Sequence, residues 1–417
     1  MAESAGGSPL VDRPVRRLLA AEVCASASGI ALITTLGWQG YSRSHEAIVL
    51  GLLGLAQFIP ALVLAIPAGH AADRHDRRRV GQWGMAGLAV VAFALALDAA
   101  GGDREVWPLY LLALCSGIAQ AFIGPAFNPL LAAMARDAPS LSQLVALSAL
   151  AWQSASIGGP VVAGLLNAWS DTAPYVACGV SLIVAVVLLG MIPHAIGTAH
   201  VDGEQEEATL REALAGVRLI ARSPALLGAI SLDLAAVLFG GATALLPIFA
   251  SDVLHVGALG NGLLRAAPGV GAVVVGLVLA VRPLSRRIGP MLFGAVAMFG
   301  VFTVIFGLSR SYVLSLVTLA LLAGSDMVSV LIRATIGPLF TPPELRGRVG
   351  AVEHVFIGAS NELGAFESGV AAALLGAVPA VIIGGAVSIV VAVVWAWRFP
   401  QLRTIDRFDE IQPIAPE

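Results

Sequence analysis

The 417-residue chain contains no lysine: all 24 of its Lys-plus-Arg side chains are arginine. That excludes a phosphate-loop lysine for nucleotide-driven pumping and a lysine Schiff base for a retinal or pyridoxal cofactor. Charge of either sign is scarce, 12% of residues, where a soluble domain carries about 25%. Three cysteines, Cys24, Cys115 and Cys178, all lie in apolar runs, so neither a disulfide framework nor a CxxC pair exists. The sequence also has no HExxH, GxSxG or paired DDxxD, which argues against an enzyme and leaves no catalytic residue, metal ligand or cofactor to assign. The net charge of -3 says little about partners, because the charges are segregated along the chain; no nucleic-acid surface is suggested, and without a phosphate-loop lysine no nucleotide site is expected.

What is abundant is apolar sequence: 58% of residues, with a mean hydropathy of +0.87. Runs of bilayer length, about 20 residues each, recur at 17–38, 46–71, 80–100, 107–127, 142–168, 172–192, 225–250, 257–281, 289–309, 312–336, 349–375 and 377–397. The expected class is an all-α integral membrane protein of twelve transmembrane helices, with the eleventh run the most polar. The first run follows Arg13, Arg16 and Arg17 and exceeds the core of a signal peptide, so it reads as an uncleaved span.

Nineteen arginines fall in the tails and even-numbered loops, among them Arg74, Arg77, Arg78, Arg79, Arg286 and Arg287; only Arg43, Arg104 and Arg310 fall in the odd-numbered loops. By the positive-inside rule both termini are cytoplasmic, and the membrane is the cytoplasmic (inner) one. The longest connection contains TLREALAGVRLIARS, in which Leu210, Leu214, Val217 and Ile220 recur at helical spacing, as in a surface helix beneath the membrane. Three parts are expected: an N-terminal six-helix bundle (1–192), a cytoplasmic linker with an amphipathic helix (193–224), and a C-terminal six-helix bundle with its tail (225–417).

The halves resemble each other. GLAQFIP at 54–60 matches GLLRAAP at 262–268, and AGLL at 163–166 matches AALL at 372–375, at offsets of 208 and 209. Two matches at nearly one offset support a duplicated, pseudo-symmetric pair of bundles, an architecture of transporters with a midplane site.

Gly69-x-x-x-Asp73-Arg74-x-x-Arg77-Arg78, in the loop after the second span, resembles the signature loop of the major facilitator superfamily, with Asp76 where that family usually has glycine. The resemblance implies the major facilitator fold, action as a monomer, and a cytoplasmic latch made by Gly69, Asp73, Arg74 and Arg77 with the start of the eleventh span, near Glu353. Gly159-Pro160-x-x-Ala163-Gly164 resembles the glycine-proline motif associated with export by antiport; as plain chemistry, Gly159, Pro160 and Gly164 permit close helix packing and bending. SALAWQSASIGGP, SLDLAAVLFGGATALLPIFASDVL and PPELRGRVGAVEHVFIGASNELGAFESG are similar to the branch that includes siderophore (enterobactin) exporters and macrolide efflux proteins.

Ionisable residues inside spans are expensive and usually face the bundle interior. Asp233 and Arg265 each lie about 12 Å into adjacent spans, entered from opposite faces, and are read as either a structural ion pair or a proton-coupling site. Asp326 in the tenth span is a further coupling candidate. Trp152 and Gln153 align with Asn361 and Glu362 at an offset of 209, and with Gln120 of the fourth span they are the substrate-cavity candidates, ordinary interhelical hydrogen bonding being the alternative. Glu22 and Arg333 are expected to reach the membrane interface. His354, near a helix end, could shuttle protons but reads more simply as structural.

Together these residues point to secondary active export of a medium-sized organic compound (a siderophore, a macrolide or another drug-like molecule) by alternating access coupled to protons. Import or facilitated diffusion on the same fold is the alternative. A receptor or an integral-membrane enzyme fits less well. The partners implied are the bilayer, the small-molecule substrate and protons.

Overall fold

A computed structural model describes residues 12–102, 105–135, 137–197 and 217–411. Twelve long helices follow the twelve apolar runs: α1 Arg13–Ser44, α2 Ala47–Arg74, α3 Arg77–Gly101, α4 Trp107–Ala133, α5 Ala138–Trp169, α6 Ala173–Gly190, α7 Pro224–Val253, α8 Gly257–Val281, α9 Ile288–Leu308, α10 Tyr312–Phe340, α11 Arg346–Leu375 and α12 Ala377–Arg398. Eleven are long and apolar enough to cross a membrane by composition alone. The twelfth, α11, has the length, 30 residues, but carries Arg346, Arg348, Glu353, Glu362 and Glu367. Most of the expected linker helix, Leu210 and Leu214 included, lies outside the described residues; its last part, 217–222, is helical, and Ile220 packs with Val349 and Val352 of α11.

The helices start and stop for local reasons. α5 opens with a capping box: Asp137 accepts from the Ser140 amide at 2.8 Å while Ser140 Oγ accepts from the Asp137 amide at 3.0 Å. α7 begins at Ser223, whose hydroxyl accepts from the Leu226 amide at 3.3 Å, with Pro224 at the first helical position. Two helices are interrupted within the membrane. α4 breaks between Ala121 and Gly124, just ahead of Pro125. α7 ends its regular part at Phe239, and Gly240-Gly241 leads into a tight turn at Ala242–Leu245 and a widened turn at Phe249–Val253. A Cβ on Gly241 would meet the Gly364 carbonyl oxygen at 2.8 Å, so α11 crosses closely at the break.

The chain forms two compact units. Unit 1 comprises Met1–His45, Leu52–Gly203 and Gly257–Ala266; unit 2 comprises Glu46–Gly51, Glu204–Val256 and Ala267–Glu417. In unit 1, α1 packs on α5 and α6, and α3 on α4 and α6. In unit 2, α7 packs on α11 and α12, and α9 on α10 and α12. Adding six to each index converts the first set of pairings into the second, so the internal repeat seen in sequence is a repeat of packing. The exchanged pieces correspond too: they are the first turns of α2 and of α8. Unit 2 is held by an apolar core that includes Leu232, Leu292, Phe293, Val296, Ile332 and Ile336, and Asp233 follows one of its members.

Candidate functional site

The densest group of intramembrane charge is in unit 2. Asp233 is the tenth residue of α7, on the face next to the core, and its Oδ2 lies 2.7 Å from Nη1 of Arg333 on α10. Arg333 Nε donates to Ser329 Oγ, one turn back, at 3.2 Å, and its Nη2 is 3.9 Å from Asp326 Oδ1, two turns back. One guanidinium therefore serves two carboxylates unequally. The Asp233 side chain is 10% exposed and held in a short ion pair, whereas that of Asp326 is 41% exposed and held loosely. Asp233 forms a wall common to two small hollows: one also contains Arg333, Glu353 and Ser360, the other Asp326, Val296 and Phe299.

This arrangement revises one expectation: Arg333 does not reach the interface but is 6% exposed and is the cation on Asp233. Depth explains the pairing. α7 starts and α10 ends on the same side, so Asp233, nine residues from Pro224, and Arg333, seven residues before Phe340, lie about 13 and 10 Å from that side. Glu353, seven residues into α11, is level with Arg333, faces α10 near Gly337, and joins the charge cluster. Farther along α11, Asn361 is exposed and Glu362 half-buried.

Unit 1 has a different interior. Gln120 and Trp152 share a cleft of about 210 Å³ with Ser26, Gly29, Ile33 and Ile123. Its wall is apolar apart from one carboxamide, a hydroxyl and the edge of an indole, a surface that suits an amphipathic organic molecule. Gly29 borders the carboxamide: a Cβ added there would meet Gln120 Oε1 at 3.7 Å, an ordinary van der Waals contact. Gln153 is turned along α5, donating to Ser156 Oγ at 3.1 Å. Glu22, expected at the interface, instead accepts a hydrogen bond from Ser148 on α5.

The small residues of α5 work as close-packing points. A Cβ on Gly159 would come 2.8 Å from the Ala27 carbonyl oxygen of α1, and one on Gly164 would come 2.9 Å from the Ala258 carbonyl oxygen and 3.0 Å from Gly262 Cα at the start of α8. Pro160 adds to the same seam, because its carbonyl faces Gly262.

In the loop after α2, Gly69 would meet nothing within 4 Å with a Cβ added, while Ala68 and Ala72 take the packing face. Asp73 and Arg74 are exposed and Arg77 is half-buried. The charged centre of this loop is its neighbour, Arg78, which is 9% exposed. It grips Asp76 with two bonds, Nε to Oδ1 at 3.1 Å and Nη2 to Oδ2 at 2.6 Å, and donates from Nη1 to the Ile192 carbonyl. Asp76 also caps α3, accepting from the Arg78 amide at 3.0 Å, and His194 Nδ1 lies 2.9 Å from its Oδ2. Burial alone would raise the Asp76 carboxyl, but bonds from the Arg78 side chain and amide and from His194 outweigh it and hold the group below the usual carboxylate range. The residue that departs from the signature pattern is thus the one that fastens this loop to the end of α6. A glycine expected there, replaced by an acid before three arginines, was the signal for it.

The comparisons with known proteins agree with this build. The family model described as Major Facilitator Superfamily matches residues 18–365. The enterobactin exporter of Escherichia coli O1:K1 / APEC is 27% identical over 331 residues, covering 78% of this chain and 76% of the relative. That of Shigella boydii serotype 18 is 28% identical over the same length. Among solved structures, a POT family transporter in complex with 5-aminolevulinic acid superposes with a TM-score of 0.75 at 12% identity, covering 94% of this chain and 96% of its own. A bacterial homologue of the human lysosomal transporter Spinster, inward-facing and occupied, gives 0.73 at 14% identity, covering 99% and 100%. With twelve membrane helices in two repeated sets and a family match over most of its length, this chain belongs to the Major Facilitator Superfamily.

Proposed function

We propose that the protein exports a medium-sized organic molecule from the cytoplasm by alternating access, with protons moving the other way, and that Asp326 carries the proton. The observation behind the coupling is the charge balance around Arg333. Within the triad that Arg333 forms with Asp233 and Asp326, one negative charge is in excess inside the membrane, where an uncompensated ion costs several kcal/mol. A single proton removes that excess. Asp233, locked to Arg333 at 2.7 Å, is the poorer acceptor, and Asp326, loosely held and open, is the better one. Glu353 in the adjoining hollow, at the arginine-rich end, gives the proton a stop on the cytoplasmic side.

For the substrate, the Gln120–Trp152 cleft supplies an apolar wall with few hydrogen-bonding groups, which sorts molecules by shape and amphipathicity more than by charge. Outward direction is supported by the relatives named enterobactin exporters and by the glycine-proline element of α5. Asn361 and Glu362 are kept as cavity residues of α11.

Proteoliposome efflux under an imposed pH gradient tests this reading. Wild type should accelerate with the gradient, and Asp326→Asn, which leaves the Asp233–Arg333 pair intact, should lose the acceleration while retaining downhill substrate exchange. A wild type indifferent to the gradient, or an Asp326→Asn protein still driven by it, would refute the assignment.

A further inference from the structure

At the arginine-rich end of unit 1, the start of α1 and the end of α6 enclose an open groove of about 480 Å³ lined by Arg13, Arg16, Arg17, Ala20 and Leu188. Arg17 is pinned across it, with Nη1 donating to the Met191 carbonyl at 2.6 Å. Arg13 and Arg16 are exposed and have no side-chain partner among the described residues. Asp12, the acid next to them in sequence, is itself already engaged. Three guanidiniums at spacings of three and one on a helix converge on one groove, where a group with several anionic oxygens could take paired hydrogen bonds from them.

The groove does not stop at its charges. From it an apolar lane runs along α6 into the membrane: Met191, Val187 and Val184 are 52, 49 and 45% exposed and recur at spacings of four and three. Cationic head pocket and apolar lane lie in the order in which a phospholipid presents its phosphate and its acyl chains. A soluble phosphate would use only the first; a zwitterionic lipid would bring a second cation into the arginine cage. We infer that this groove is a binding site for an anionic phospholipid, held by Arg13, Arg16 and Arg17 at the headgroup and by Leu188, Val187 and Val184 along the chain.

Native mass spectrometry of the full-length protein in detergent tests this with three probes: dioleoyl-phosphatidylglycerol, dioleoyl-phosphatidylcholine and glycerol phosphate. Phosphatidylglycerol should be retained at about 10-fold lower concentration than phosphatidylcholine, and Arg13→Gln/Arg16→Gln should erase that difference. Arg13→Lys/Arg16→Lys, which keeps the charge that orients α1 in the membrane, should retain most of the preference. Leu188→Asn should weaken both lipids and leave glycerol phosphate unaffected. Equal retention of the two lipids, a preference that survives the glutamine pair, or displacement of phosphatidylglycerol by glycerol phosphate at matched concentration would each overturn the site.

Discussion

The two units place an acid at the same point and treat it in opposite ways. Glu22 is the tenth residue of α1 and Asp233 the tenth of α7. In unit 1 the partner is a neutral hydroxyl, that of Ser148. In unit 2 the partner is Arg333; subtracting the repeat offset of 209 lands on Gly124, where α4 breaks. Elsewhere in unit 1, among the described residues, ion pairs lie near helix ends: Arg43 with Asp98 at 2.8 Å, and Arg78 with Asp76. Duplication thus gave two copies of one scaffold, and charge has been concentrated in the middle of one copy while the other kept a largely neutral cleft. The proposed function reads this division as recognition of an organic molecule in one half and handling of ions in the other.

The largest test of this contrast is the matched pair Asp233→Asn and Glu22→Gln. The first removes the 2.7 Å partner of the buried Arg333 and leaves it only the looser Asp326 at 3.9 Å, so it should destabilise the protein by about 2 to 3 kcal/mol; the second exchanges one hydrogen-bonding group for another and should cost no more than about 1 kcal/mol. Thermal unfolding in detergent reads both. Replacing the whole pair, Asp233→Leu with Arg333→Leu, should recover most of the lost stability without recovering proton-driven efflux. Equal effects of Asp233→Asn and Glu22→Gln would mean that the two acids do the same work.

A smaller effect is expected in the neutral cleft. Trp152→Ala removes the exposed indole and should raise the KM for the transported compound about 10-fold, the loss of roughly one aromatic contact, with the response to the pH gradient unchanged. If Trp152→Ala abolished that response, the division between the units would fall.

The smallest concerns the loop knot. The Asp76 carboxyl is depressed in the folded protein, so its contribution is present above the ordinary carboxylate range and lost as pH falls through the depressed value. Asp76→Asn keeps a capping group but removes the charge that Arg78 and His194 bind; it should cost about 1 to 2 kcal/mol at neutral pH, the scale of a hydrogen bond to a charged group, and the gap to wild type should close in strong acid. Unfolding midpoints across a pH series measure it.

Much of this was legible in sequence, and the exceptions share a cause. Runs of apolar residues located every span, since bilayer thickness fixes their length, and even polar α11 was found because its flanks are apolar. The close packing of the small residues of α5 was also readable. Arg333 was not, because an arginine seven residues from a helix end fits snorkelling equally well; only the knowledge that α7 and α10 are neighbours gives it a partner. Asp76 was noticed as a departure, yet its role depends on Ile192 and His194, more than a hundred residues away. The breaks in α4 and α7 were hidden because Gly-Pro and Gly-Gly within an apolar run do not lower its hydropathy.

Asp326 is the fifteenth of the 29 residues of α10, with fourteen on either side of it. On the proposed assignment, a proton reaching it from either compartment would have crossed about half of the transmembrane voltage, worth roughly 1.2 kcal/mol per 100 mV. Loading and unloading would each draw on the membrane potential in equal measure, so the energised state of the cell would drive both halves of the cycle and not one stroke alone.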